Sequence, residues 1–370
     1  MKNTWLWLLG SSLVVVACAV SQPAPQQNPD WQVQIVKSGL ERPWSLNFSP
    51  DGTLLFTTRY TGVLQRLDVS SGALTTLSTT LPNFRPEGEG GMMGLALDSQ
   101  FSQNNKVYIC YSYWKNGVQT DANKRNRLSS FVLQAGAVTA ESILIDDMPG
   151  WVNHNGCRVV LSPDNQFLLL SMGDAAGQGA GPIKAQDLTS LGGKILRIGV
   201  DGSIPSDNPF AGSLVWTLGH RNPQGLAFHP LTGGLWSTEH GANTKDELNL
   251  IKKGLNYGWS TCEGIVATCN VQNYQPAIKE YNTSDTIAMS DMVFYTGTVF
   301  PEWKNSLFFV TLKTGRLYRL ELNGEQVAKE EILIDNTYGR LRDITVGADG
   351  FLYISTDAGT DSRIIRIRPK

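Results

Sequence analysis

Residues 150–177 read GWVNHNGCRVVLSPDNQFLLLSMGDAAG, and the segment from Val159 to Asp174 carries two short apolar runs on either side of Ser-Pro-Asp-Asn. Runs this short, split by turn-forming residues, read as two strands joined by a tight turn. The same arrangement recurs five more times. It is seen in LNFSPDGTLLFTT from Leu46, LALDSQFSQNNKVYICYSY from Leu95, LAFHPLTGGLWSTEHG from Leu226, VFPEWKNSLFFVTLK from Val299 and ITVGADGFLYISTDAG from Ile344. A third apolar segment follows each pair: GVLQRLDV, NRLSSFVL, GKILRIGV, DELNLIKKG, GRLYRLEL and RIIRIRPK. Six uneven copies of one supersecondary unit predict an all-β chain folded as a six-bladed β-propeller of four-stranded antiparallel blades, with loops of different length on one face. WQVQIVKSG, from Trp31, is expected to supply the strand that closes the ring against the last blade and so protects the sheet edges. A pair of β-sandwiches would account for the strands but not for the sixfold echo. No long helix is expected, since LTSLGGKILRIG is broken by glycines.

The chain has 370 residues and a formal net charge of −2, so no basic field points to nucleic acid. Its first residues, MKNTWLWLLGSSLVVVACAV, place an apolar run behind a single lysine and end in small residues before Cys18. That is the pattern of a secretory signal over residues 1–17, and Val15-Val16-Ala17-Cys18 reads as a lipobox that would make Cys18 a lipid anchor. Residues 18–30 are then expected to form a Pro/Gln tether and residues 31–370 a single propeller domain. No later segment is apolar enough to span a bilayer, so contact with a membrane is expected only through that anchor. An exported protein meets an oxidising compartment. Four cysteines besides Cys18 allow three pairings; the short loop between Cys262 and Cys269 favours that bridge, which leaves Cys110 with Cys157.

Four groups of residues are candidates for chemistry. His154 precedes a strand pair whose far end carries Asp174, and a hairpin brings its two ends together, so an imidazole and a carboxylate can meet as a general-base pair. The alternative is a polar residue capping a strand. Arg221, in LGHRNPQGLAFHP, stands just before an expected inner strand and would aim a fixed charge at the channel or form a buried ion pair; His220 and His229 read as structural. EHGANTKDELNLIKKGLNYGW offers Asp246, Glu247, backbone carbonyls and Tyr257, a set of hard oxygen donors that suits calcium but also suits a solvated acidic loop. Lys313, Arg340 and Arg342 are cations at strand edges that can converge on a small polyanion.

GEGGMMGLAL, NHNGCRVVLSPD, AQDLTSLGGKILRIGVDGSIPSDNPF, LGHRNPQGLAFHP, EHGANTKDELN with GLNYGW, and GRLRDI with DGFLYISTD occur in this order from about Leu40 to the C-terminus. Together they resemble the soluble glucose/sorbosone dehydrogenase family, and more closely its periplasmic aldose sugar dehydrogenases that use pyrroloquinoline quinone (PQQ). The resemblance implies a six-bladed propeller that oxidises an aldose at C1 to the lactone and passes electrons to an external acceptor. It implies His154 as general base, Asp174 as its supporting acid and Arg221 with Asn222 against the cofactor. Lys313, Arg340 and Arg342 would hold the cofactor's carboxylates and quinone oxygens. Carbonyls of Gly241 and Ala242 would bind a calcium ion beside the cofactor, although a proline is common at the second position. Glu247 and the Tyr257 carbonyl would bind a further calcium. Two departures stand out. Glu89 replaces a glutamine that contacts the cofactor, and Cys157 stands where glycine is usual. A calcium-dependent lactonase, or a cofactor-free propeller that binds carbohydrate or protein, is the competing reading.

Overall fold

The computed structural model describes residue 1, residues 30–176 and residues 181–370, with the backbone alone for 181–183. The signal segment, Cys18 and the tether up to residue 29 lie outside the described residues. The described chain is all-β. Strand β1 (Trp31–Leu40) is followed by five quartets in chain order. These are β2–β5 (Pro43–Phe48, Leu54–Thr58, Leu64–Leu67, Leu74–Thr79), β6–β9 (Met92–Leu97, Lys106–Trp114, Lys124–Gln134, Ala137–Pro149), β10–β13 (Gly156–Leu161, Phe167–Met172, Lys194–Gly199, Val215–Leu218), β14–β17 (Pro223–Phe228, Leu235–Glu239, Lys245–Ile251, Lys279–Asn282) and β18–β21 (Met289–Phe294, Leu307–Thr311, Arg316–Asn323, Gln326–Asp335). The last three strands, β22 (Leu341–Val346), β23 (Leu352–Thr356) and β24 (Ser362–Pro369), pair in sequence and take β1 as their fourth member. The only α-helices among the described residues are the short α1 (Phe101–Asn104) and α2 (Gly181–Gln186).

Four of the sheets are four-stranded and antiparallel, as expected. The first two quartets depart from that expectation. Their outer strands β5 and β9 meet in a two-residue parallel bridge, Ser78 with Ala137 and Thr79 with Val138, which fuses them into one mixed eight-stranded sheet. The fifth strand pair also differs from the reading. The apolar run at Val299 is the connection, where Phe300 stacks on Trp303 at 4.0 Å, and the first strand is β18, upstream of it.

The turn chemistry seen in the sequence accounts for the repeat. In the β2–β3 turn, Ser49 donates to the Asp51 carboxylate at 2.6 Å, and Gly52 takes the left-handed backbone the turn requires (φ 83°). In the β10–β11 turn, Ser162 donates to Asp164 at 2.5 Å and Asn165 takes the left-handed position (φ 63°). The second strands β3, β11, β15, β19 and β23 are almost wholly buried, and their apolar side chains pack between neighbouring sheets. One such layer joins Tyr108, Cys110 and Leu128 to Cys157, Val159 and Leu170. Each fully buried large aliphatic side chain is worth about 1.5–3 kcal/mol.

First strands lie side by side: β2 touches β6, β6 touches β10, and so on through β14, β18 and β22, which returns to β2. Every one of these strands carries a register shift against its partner near its start, at Pro43/Leu46, Met92/Leu95, Gly156/Val159, Pro223/Gly225, Met289/Met292 and Leu341/Asp343. Bulges turn side chains out of the usual alternation. Here they aim Trp44, Arg158, Gln224, Asp291, Arg342 and Asp343 at the axis, where Arg158 binds Asp343 at 2.5 Å and lies 3.1 Å from Asp291. The β1–β24 ladder starts with Trp31 opposite Pro369, so the two chain ends described here meet at the rim, at the opposite end of the strands from these bulges.

Two disulfides are present, Cys110–Cys157 and Cys262–Cys269. The first ties β7 to β10 across the boundary between two quartets, with both cysteines fully buried. Replacing both by alanine should lower unfolding stability by about 2–4 kcal/mol. A denaturant midpoint unchanged from the oxidised wild type would show that packing alone holds this boundary.

Candidate active site

A pocket of about 330 Å³ opens at the bulged ends of the first strands. Every sheet reaches it: Arg59 follows β3, Glu89 and Met93 flank the start of β6, Asn155 and Gly156 begin β10, Gln224 lies on β14, Lys313 follows β19, and Arg340 and Arg342 begin β22.

Trp44, on β2, forms part of the same wall.

The cations share one carboxylate. Asp357, just beyond β23, lies within 4.0 Å of Arg42, 3.8 Å of Arg59, 3.8 Å of Arg340 and 3.0 Å of Arg342. Burial alone would raise its pKa, but Arg342, Arg59 and Arg340 pull it down to about 2. Four guanidinium groups against one carboxylate leave a surplus of three positive charges. Arg342 is buried, and burial lowers its pKa to about 10 against the opposing pull of Asp357. It donates to Gln224 at 3.2 Å, and its Nε has no partner. The Nε of Arg59 is also buried and unpartnered. Lys313 reaches the same pocket but is half exposed, with its ammonium on the Asp285 carboxylate at the rim.

His154 sits beside this cluster with its ring largely buried, and its Nδ1 lies 2.8 Å from Asp174 Oδ1. The hairpin does bring the two together. Asp174 is fully buried, and its second oxygen accepts the Trp259 indole N–H at 2.8 Å. His154 itself takes a left-handed backbone (φ 53°), as do Gly156 (φ 64°) and Cys157 (φ 70°). That conformation is costly for non-glycine residues and persists where neighbours enforce it. Two clasps do so here. The His154 N–H donates to Glu89 Oε2 at 2.9 Å while the Glu89 N–H donates to the Val152 carbonyl at 2.6 Å, and the disulfide holds Cys157.

Arg221 lies over the Trp259 ring at 5.4 Å and donates to the His240 carbonyl at 3.1 Å. Asn222 is buried and does not line the pocket; its carboxamide oxygen accepts the Gly156 N–H at 3.2 Å, and its Nδ2 has no partner. His240, which the sequence reading passed over, lies between the groups just described. Its Nε2 is sealed from solvent without a partner. Burial pushes its pKa down to about 4, with Arg342, Arg221 and His154 adding to the shift and Glu89 opposing it. His220 is structural, held between Glu239 at 2.8 Å and Thr217 at 2.9 Å.

Behind His240 a second cavity, of about 10 Å³, is lined by Arg221, Glu239, Gly241, Glu247, Tyr257 and Glu263. Glu247 is not in a solvated loop. It is buried, and burial together with nearby Glu239 pushes its pKa up to about 8. Asp246 is buried as well and serves the chain itself, accepting from Gly241 N–H at 2.8 Å, Thr286 at 2.6 Å and Ala288 N–H at 2.7 Å. The Gly241 and Ala242 N–H groups are thus taken by Asp246 and Glu263. The described residues hold no compact group of three or more His, Cys, Asp or Glu side chains set as a metal cluster.

The model of the glucose/sorbosone dehydrogenase family matches residues 40–366. Aldose sugar dehydrogenase YliI of Escherichia coli is 31% identical over 360 residues, which cover 91% of this chain and 93% of that protein. Quinoprotein glucose dehydrogenase B of Acinetobacter calcoaceticus is 29% identical, over 94% of this chain and 90% of that one. The PQQ-bound aldose sugar dehydrogenase of Streptomyces coelicolor superposes with a TM-score of 0.78 at 30% identity, covering 92% of this chain and 98% of that structure. With a family match across nearly the whole described domain and relatives of this similarity, the chain belongs to the glucose/sorbosone dehydrogenase family.

Proposed function

We propose that this protein is a PQQ- and calcium-dependent aldose dehydrogenase, oxidising the C1 hydroxyl of an aldose to the lactone and passing the electrons to an external acceptor. The observation that carries the reading is the pocket lined by Arg59, Arg340 and Arg342, which share Asp357 behind them, with the His154–Asp174 pair held at its Glu89 edge. An excess of positive charge suits a ligand with several carboxylates, and the buried unpartnered Nε atoms of Arg59 and Arg342 await acceptors. Arg59, Arg340 and Arg342 would hold PQQ, with Arg221, Asn222 and Lys313 as further contacts once Lys313 leaves Asp285. Bound PQQ supplies the two-electron acceptor for the hydrogen at C1.

The chain's own part is proton chemistry. Asp174 accepts the Nδ1 proton of His154, which fixes the tautomer with Nε2 free to act as base. His154 Nε2 then takes the proton of the sugar's C1 hydroxyl, and Asp174 stabilises the imidazolium that forms. The Gly241 and Ala242 carbonyls are the proposed donors to a calcium beside the cofactor, and Glu247 with the Tyr257 carbonyl to a further calcium. Two buried carboxylates, Glu239 and Glu247, meet at that small cavity, and Glu247 tends to hold a proton where no cation neutralises it.

The closed succession of first strands and the β1–β24 pairing support a six-bladed propeller over residues 31–370, with the β5–β9 bridge a local link between two blades. The two disulfides suit an oxidising compartment, in keeping with export by residues 1–17 and anchoring of the tether through Cys18.

Reconstitution of purified apoprotein with PQQ and Ca²⁺, followed by dye reduction with a panel of aldoses, tests the reading; neither a cofactor spectrum nor sugar-dependent reduction would reject it. In the reconstituted enzyme, His154→Ala should lower kcat by about 10³-fold or more while PQQ affinity changes only a few-fold. Glu89→Gln should tighten PQQ binding about tenfold, since one like charge in a pocket of intermediate dielectric costs on the order of 1–2 kcal/mol. Equal or weaker binding by the variant would mean that the arginines already cancel Glu89. Ca²⁺ at about a hundredfold over its Kd should stabilise the protein by about 2.7 kcal/mol. Glu247→Gln should remove most of that gain, as read from the melting temperature with and without chelator.

A further inference from the structure

Trp259 belongs to the GLNYGW motif, yet nothing above gives it a role in the reaction. Its surroundings do. The indole N–H donates to Asp174 Oδ2 at 2.8 Å, while Oδ1 of the same carboxylate faces His154 Nδ1 at 2.8 Å. The ring's face lies 5.4 Å from the Arg221 guanidinium. Asp174 N–H in turn donates to the Arg221 carbonyl at 2.8 Å, so dyad, indole and arginine form one closed circuit. The backbone of Trp259 is tied down as well: its peptide N–H donates to Gly219 O at 3.0 Å, and its carbonyl accepts Gln186 Nε2 at 2.6 Å. The Cys262–Cys269 bridge closes the loop that follows.

We propose that Trp259 is a positioning residue for the oxidation: its N–H fixes the rotation of the Asp174 carboxylate so that one oxygen is presented to His154, and its ring sets the wall on which Arg221 rests. This rests on the reading of His154 as the base. A fully buried carboxylate needs partners for both oxygens, and the indole is the hydrogen-bond donor described on Oδ2, with Lys184 acting on Asp174 through its charge. Without that N–H the carboxylate is free to turn about its final torsion, and the imidazole it steers loses a fixed tautomer and direction.

The test uses Trp259→Phe, which keeps a ring and loses the donor, and replacement of Trp259 by benzothienylalanine, which removes only the N–H and guards against misfolding. In the PQQ- and Ca²⁺-loaded protein both should lower kcat by about 10–100-fold, leave KM and the Kd for PQQ within about threefold, and shift the melting temperature by no more than about 5 °C. In an Asp174→Asn background, Trp259→Phe should add less than about threefold, because the two changes cut the same link. In cofactor-free protein the Trp259 indole proton should resonate downfield and exchange slowly, and lose both properties in Asp174→Asn. An unchanged kcat, a loss spread over KM, melting temperature or PQQ affinity, a fully additive double mutant, or an ordinary indole resonance would each overturn the proposal. If the indole signature stands but no sugar is oxidised, the proposed activity fails while the positioning contact survives.

Discussion

Six strands that run side by side around one axis must fill that axis with their own side chains. Here the filling is ionic. Arg158 sits at the centre, bound to Asp343, near Asp291, with Ser45 at 3.0 Å and the Trp44 ring 4.3 Å from its guanidinium. Burial raises the pKa values of both carboxyl groups and Arg158 opposes it, so the plug is stable only as a set. A hydrocarbon plug would fill the space as well. It would not offer hydrogen bonds to the strands around it, such as Arg158 to the Gln224 carbonyl and Leu46 N–H to Asp343. The pocket above is therefore built on a floor that is polar, fully buried and fixed in register by contacts from four different quartets.

Above that floor positive charge accumulates. The plug sets one arginine against two carboxyl groups whose pKa values burial raises, whereas the layer above it gathers four arginines on Asp357. Such a layer is unfavourable without a counter-anion, since burial already depresses the Arg342 pKa. Preorganised cations of this kind cost stability in the empty protein and give it back as ligand affinity. Glu89 fits the same scheme. It serves as the clamp on the His154 peptide, at the expense of one negative charge facing the pocket.

Much of this was legible in the sequence because turns and periodicity are local. Ser-Pro-Asp-Gly and Ser-Pro-Asp-Asn marked the strand pairs, and the hairpin logic placed His154 against Asp174. Cysteine spacing favoured the Cys262–Cys269 bridge and left Cys110 with Cys157, and the structure has both. What the sequence hid is where alternation breaks. The six bulges decide which residues face the axis, and counting every second residue along Met289–Phe294 or Leu341–Val346 cannot locate them. Arg59 and His240 are hidden for the same reason: each stands just past a second strand, Arg59 outside any motif and His240 within EHGANTKDELN among residues with more obvious oxygen donors. Val299 misled because an apolar stretch with Phe300 and Trp303 reads as a strand, although its aromatic rings stack within a turn. The β5–β9 bridge is a contact between strand edges, which no local pattern records.

The pairing of Trp31 with Pro369 has a consequence for how the molecule is held. Strand β24 runs from the pocket end towards the opposite face, so Asp30 emerges on that far side, where its carbonyl accepts the Lys370 N–H at 3.1 Å. Anything fastened through the residues before Asp30 grips the molecule from underneath. The pocket mouth opens on the opposite face, so an attachment on that far side leaves the mouth unobstructed.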